Sequence, residues 1–398
     1  MISKFKLFLR YFIRSAVSPF IPSCSVSSSI NNSFIFFEGY NNFVGYYDHD
    51  PINESNELLF HRVSTAYTND VEPTVGELYL YSFDTREFKF LISTKALNWQ
   101  LGSRAQWLSN FQIIFNDLKD GFHCSGIFNI RTNLLEMIFD RPFWAISRDN
   151  QIAASLNFSR ISKKRPGYGY RGKSIDGDAE VLTLFSTDTG KVLYQISLKS
   201  ILERLGLKDF LSEDAYLNHV AWSDSPNKFL TIFHIEETDS TPRKIFPVVI
   251  DFEKDSLLLV DDSGYFSHHV WLSDDRLLAY LKLNGKKCYA VWQETSGWVE
   301  VKHSLPSEDG HPSPLPNSDH VIIDGYPNRF GRMPLYLGSI DGKKMPKKLA
   351  SITSPISFAG PLRCDLHPRF SSQGKRIICD VPTNKGRQIM ILENVLND

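Results

Sequence analysis

Five histidines recur at one place in a repeated pattern. Seven segments read as an apolar strand, a polar turn and a second apolar strand, and they align on the residue before the turn: Ile52, Trp107, Ile146, Trp222, Trp271, Pro314 and Phe370. Three residues earlier stand His49, Arg104, Phe143, His219, His268, His311 and His367, so histidine takes five of seven positions in a chain with only 11. Where the second strand ends stand Arg62, Asp117, His234, Asp324 and Asp380. Imidazoles and carboxylates gathered in this way suit a divalent metal, and Arg with protonated His suits an anion. Polar side chains at repeated strand starts also hydrogen-bond neighbouring sheets, so each member has a structural alternative.

The elements that must position these residues follow from the same repeats. The hairpins start at Asp50, Gln106, Ala145, Ala221, Val270, Pro314 and Arg369, and each is followed by a further alternating strand and turn, as in GELYLYSFDT or KCYAVWQETSG. Four strands per unit, repeating at about 40 to 55 residues, is the pattern of propeller blades. The fold class expected is therefore all-β, a seven-bladed β-propeller over residues 34–398 with a short N-terminal helix. Equivalent blade positions then form rings, which places His219, His268, His311 and His367 around one opening with His234 close by. Helix is scarce: SLKSILERLGL is the one good candidate, and it lies with RISKKRPGYGYRG in a long third unit that carries an insertion. GYGYRG matches GxGxxG literally but lacks the preceding strand and following helix of a dinucleotide fingerprint. It reads as an aromatic loop in which Tyr168 and Tyr170 either stack on a sugar and donate a proton or pack on the blade. Asn98 and Gln100 are candidates for holding hydroxyls, and Trp99 serves equally as core.

Composition bounds the function classes. With 42% hydrophobic residues the chain has ample material for a core, and a formal charge of -1 argues against a dedicated nucleic-acid binder. The five cysteines are odd in number and form no CxxC pair, which fits a reducing compartment. Residues 1–33 read as a basic amphipathic helix and the polar linker SVSSSINNS. Lys4, Lys6, Arg10 and Arg14 lie among apolar residues with no acid. Such a segment is too interrupted to span a bilayer and is expected to lie on a membrane surface, with an export signal or a helix packed on the body as the alternatives. The expected location is cytoplasmic, peripheral on the inner membrane, with IPSC at Cys24 leaving export open.

The motifs RCDLHPRFSSQGKRIICD with GRQIMILE, DGHPSPLPNSDHVIIDGYP, NHVAWS with TIFH, SHHVWLSDD, GYYDHDP, NWQLG with IIFND, and RPGYGY resemble the oligogalacturonate-lyase-like seven-bladed propellers, which are also similar to the ulvan lyases. The resemblance covers residues 38 to 395. It implies a divalent metal, manganese in type, held by histidines and a glutamine of the last blades. His268 and His367 fall on ligand positions, Asp365 replaces one histidine of the HxHP pattern, and the glutamine position falls near Leu362. With His311 from the ring, the expected ligand set is His268, His311, His367 and Asp365. His234 resembles the histidine proposed as base.

The resemblance implies β-elimination on uronic-acid glycans, so the expected partner is an anionic oligo- or polysaccharide. The C6 carboxylate must be neutralised, the C5 proton taken by a base, and the departing O4 protonated. A metal or Arg62 and Arg104 would do the first, His234 or His219 the second, and Tyr168 or Tyr170 the third. The alternative is a noncatalytic glycan-binding or scaffold propeller in capsule or O-antigen assembly, which the basic N-terminal segment and the replaced ligand favour.

Overall fold

A computed structural model describes residues 23–236 and 243–396 of the chain. The fold is the expected all-β seven-bladed β-propeller, and each blade is an antiparallel sheet built mainly from strands consecutive in sequence. All seven hairpins read from the sequence are present. Their turns use residues that tolerate a left-handed backbone: Asn56, Asn150 and Asn317 stand at φ 59°, 62° and 56°.

The described residues fall into two compact units, one running to Ser93 with Trp99–Gly102 and from Val301 onward, the other Thr94–Asn98 with Ser103–Glu300. The first unit holds the sheets of residues 40–94, 312–353 and 369–393. Their central strands are apolar on both faces, as in Arg376–Thr383, where Ile377, Ile378, Cys379 and Val381 are all buried. The second unit holds the sheets of residues 106–139, 145–197, 215–259 and 266–300. It also carries two short helices, α1 (Phe158–Lys164), capped by Asn157, and α2 (Leu198–Arg204), capped by Ser197. α2 is the helix expected at SLKSILERLGL, and α1 lies in the insertion.

One expectation is corrected. The stretch SVSSSINNS, read as a linker, lies almost wholly in or between two strands: Cys24–Val26 extends the sheet of residues 312–353, and Asn31–Ile35 completes the sheet of residues 369–393. An edge strand needs only one apolar face and gains its stability from ladder hydrogen bonds, so its polar composition hides it. Ile30 and Ile35 supply the buried contacts while the intervening Asn31, Asn32 and Ser33 stay exposed. The expected N-terminal helix falls outside the described residues, and no described helix is long and apolar enough to cross a membrane.

This register is testable by two neighbouring substitutions. Ile35 is buried against Ile389 and Ile391, whereas Phe34 is 42% exposed. Ile35→Ala is expected to cost about 2–4 kcal/mol in urea unfolding and Phe34→Ala less than about 1 kcal/mol. Equal costs would mean that the strand is misregistered.

Candidate metal centre

The first unit brings three of the four expected ligands together. His311, Asp365 and His367 are all buried, and one donor atom from each lies within 4.8 Å of the others. His311 opens the strand Pro312–Pro314, and His367 precedes Arg369–Phe370, so both stand at the same position of neighbouring sheets. Their ring centroids are 4.4 Å apart and nearly perpendicular.

Asp324, at the end of the strand His320–Asp324, organises both histidines. Its Oδ1 accepts the His311 backbone N–H at 2.7 Å, and its Oδ2 accepts the His367 backbone N–H at 3.2 Å. Both oxygens lie 3.0 Å from His311 Nδ1. A carboxylate can only accept, so His311 carries its proton on Nδ1 and presents the lone pair on Nε2. The His367 ring is oriented the same way by its Nδ1–H, which donates to the Gly45 carbonyl at 2.8 Å. Its Nε2 is buried and has no hydrogen-bond partner among the described residues. Two imidazoles locked by their far nitrogens, with a carboxylate between them, form the arrangement that metal-binding histidines require.

The donor set fits a first-row divalent ion. Donors at about 2.1 Å from an ion lie no more than about 4.2 Å apart, so the set must close by roughly half an ångström. Two histidines and one carboxylate leave further coordination positions open. Gly310 permits the close approach, because a Cβ there would overlap the Asp324 backbone carbonyl.

The segment Val44–Tyr47 forms one wall of the site. Asp380 accepts the N–H groups of Val44 at 2.8 Å and Gly45 at 3.0 Å, and Arg369 Nη2 donates to the carbonyls of Gly45 and Tyr46. Tyr46 and Tyr47 then pack on both imidazoles, Tyr46 at 5.1 Å from His367 and Tyr47 at 5.1 Å from His311. Neither tyrosine was singled out from the sequence, although both lie within GYYDHDP, the motif that carries His49. His49 itself lies beside Asp48, with Nδ1 3.3 Å from its carboxylate.

The second unit gathers a separate histidine cluster. His219 lies at a register shift in the strand Ala215–Trp222, with φ 62°, and His268 lies at a similar shift between Phe266 and His269. Arg104 and His367 occupy the aligned position in other sheets and also have positive φ, at 59° and 42°. A left-handed residue or bulge re-aims the side chain, and this shared distortion is the structural content of the sequence alignment. The His219 ring lies 4.9 Å from Trp144, 6.0 Å from His269 and 6.2 Å from Tyr168. His268 Nδ1 contacts Ser267 Oγ at 3.3 Å and belongs to the second unit.

The remaining expected residues are held in packing or pairing roles. His234 Nδ1 accepts from Arg243 Nη2 at 2.9 Å, which engages the lone pair that a base would use. Tyr170 is buried, stacks on Phe158 at 4.6 Å and receives a hydrogen bond from Asn116. Tyr168 is buried beneath the Arg165 guanidinium, 3.9 Å from its centroid. Arg62 pairs with Glu77 at 2.9 Å and lies over the rings of Tyr79 and Tyr40. Arg104 is buried 5.5 Å from the Trp144 ring, and Asp117 accepts the Lys95 backbone N–H.

Two measurements follow. Asp324→Asn removes a charged acceptor from His311 Nδ1 and is expected to weaken manganese binding by about 10- to 100-fold in a calorimetric titration; unchanged affinity would sink the assigned role of Asp324. Burial holds His61 (down to about 3), His123, His219, His234 and His367 below the ordinary value. Their neutral forms are present in the folded state while the unfolded chain takes up protons below about 6.5, so stability present above that pH is lost as pH falls. Five groups act in the opposite sense. Burial lowers His311, but the charge and hydrogen bond of Asp324 together with the charges of Asp365 and Asp309 outweigh it and raise the net value; burial raises Glu180 to about 7 and also raises Asp50, Asp261 and Asp380. The histidines shift furthest, His219, His234 and His367 well below the ordinary value and His61 to about 3, so stability is expected to be lower at pH 5 than at pH 7.5 in metal-free urea unfolding, and the reverse order would contradict this balance.

No protein-family model matches the chain, and no curated protein matches it by sequence. Among solved structures it is similar to an oligogalacturonate lyase in complex with manganese, with TM-score 0.61 and 12% identity, covering 92% of this chain and 96% of that one. It is similar to an oligogalacturonate lyase from Vibrio parahaemolyticus at TM-score 0.61 and 12% identity, covering 94% and 100%. The β-propeller domain of the Trilobed protease from Pyrococcus furiosus aligns at TM-score 0.53 and 10% identity, covering 90% and 95%. At these identities the likeness shows the fold, a seven-bladed β-propeller, alone.

Proposed function

We propose that this protein is a metal-dependent, lyase-like propeller acting on uronic-acid glycans by β-elimination. The observation that carries the reading is the buried His311–Asp365–His367 triad with both imidazole tautomers set for coordination. The solved manganese complex of a similar propeller, an oligogalacturonate lyase, supports manganese as the ion and a uronate as the substrate class. A divalent ion held by these three residues supplies the positive charge that makes the C5 proton of a bound uronate acidic. Asp324 and Gly45 keep the two imidazoles oriented, while Tyr46 and Tyr47 shield them from water. One group of the first unit suits a proton transfer by chemistry: the hydroxyl of Tyr47, whose ring packs on His311.

A second reading has specific support. His234, the expected base, already accepts from Arg243, and the expected acids Tyr168 and Tyr170 are buried in packing. These engagements favour a noncatalytic glycan-binding or scaffold propeller in surface-polysaccharide assembly. One experiment separates the two readings. Purified protein with manganese and a panel of uronic-acid oligosaccharides is expected to generate the ultraviolet absorbance of an unsaturated uronate. His367→Ala should lower that rate by about 10²-fold or more. Saturable binding of the oligosaccharides with no absorbance change, across metals and pH, would establish the scaffold reading instead.

A further inference from the structure

The triad is almost closed to solvent, with His311, His367 and Asp365 at 1%, 2% and 5% exposure. Two partly exposed side chains touch it from different members. The Tyr326 ring, 39% exposed, lies 5.9 Å from the His311 ring. The Arg363 side chain, 27% exposed, donates from Nε to Asp365 Oδ2 at 2.7 Å.

Both residues sit on backbone that is held in place. Tyr326 precedes Pro327 in a loop closed on Asn328, whose Oδ1 accepts the N–H groups of Phe330 and Arg332 and whose own N–H donates to the Arg332 carbonyl. The Gly325 N–H donates to the Pro334 carbonyl at 2.9 Å. Arg363 follows the short 3₁₀ turn Gly360–Leu362, and its carbonyl accepts from Gln100 Nε2 at 2.8 Å and Arg387 Nη2 at 2.9 Å. A fixed, exposed aromatic face beside a polar centre is suited to the C–H face of a pyranose, and a guanidinium is suited to the planar carboxylate that a uronate carries. Groups placed in advance lose little freedom on binding.

We infer that Tyr326 and Arg363 form a uronate subsite at the edge of the triad, with Tyr326 stacked on the sugar ring and Arg363 paired with its carboxylate. The inference rests on the uronate reading above and names the residues that would confer selectivity for acidic over neutral sugars. Asp324 and Asp365 lie against His311 and would repel an anionic sugar in the absence of a cation. Binding at this subsite therefore depends on the metal.

Equilibrium binding by the full-length protein tests this without any cleavage. The probes are trimers of galacturonate, guluronate and glucuronate and their carboxyl-reduced neutral counterparts, each with and without manganese. Manganese affinity is measured separately for every variant by electron paramagnetic resonance. The wild-type protein is expected to bind an acidic trimer more tightly than its neutral counterpart, and only with manganese present. Tyr326→Ala should weaken acidic and neutral probes alike by about 10-fold, with Tyr326→Trp within about threefold of wild type. Arg363→Gln should narrow the acidic-over-neutral preference by about 10-fold at saturating manganese, and Arg363→Lys should recover part of it. The subsite is overturned if the wild type binds no acidic trimer, if Tyr326→Ala binds within about twofold of wild type, or if that variant loses manganese affinity in parallel. Should the binding results hold while no unsaturated uronate forms, the subsite stands and only the catalytic reading falls.

Discussion

The Asp324 carboxylate is the constraint on which the first unit's site depends. A buried carboxylate is costly unless its lone pairs are filled, and Asp324 fills them with the backbone N–H groups of two residues in different sheets and with an imidazole N–H. The same hydrogen bonds set the spacing of His311 and His367 and choose the His311 tautomer. Imidazole orientation and local packing are thereby joined in one group, so the site cannot be loosened without disturbing the sheets that carry it.

The surrounding charges are arranged on the same logic. Arg369 and Asp380 are both buried, and each holds the segment Val44–Tyr47 through backbone groups. That segment supplies the carbonyl that orients His367 and the two tyrosines that cover the imidazoles. In the second unit imidazoles lie with an arginine among them. Burial and the charge of Arg165 keep His219 and His234 neutral there, whereas Asp324 draws the proton affinity of His311 upward.

The sequence made the blade pattern legible because hairpins repeat with the same turn chemistry and the same strand alternation. His311 and His367 were legible because each stands three residues before its turn marker, and Asp324 and Asp380 because each stands ten after it. Asp365 was reached through resemblance, as the replaced residue of a local motif. The strands Cys24–Val26 and Asn31–Ile35 were hidden because an edge strand needs few apolar residues, and pairing with the far end of the chain leaves no local signal. For Tyr168 and Tyr170 the sequence left a sugar-facing role and packing on the blade open, and in the fold both rings are buried, Tyr170 against Phe158 and Tyr168 against Arg165. Tyr326 and Arg363 had no periodic signature, since what distinguishes them is partial exposure beside a buried centre.

The central claim is that His311 and His367 present Nε2 to a divalent ion together with Asp365. Pulsed electron paramagnetic resonance of the manganese-loaded protein reads this directly through the nitrogen couplings of the bound ion. The account predicts couplings from two imidazole nitrogens, reduced to one in His367→Ala. A spectrum showing only oxygen and water ligands, or two nitrogen couplings that persist in that variant, would contradict it.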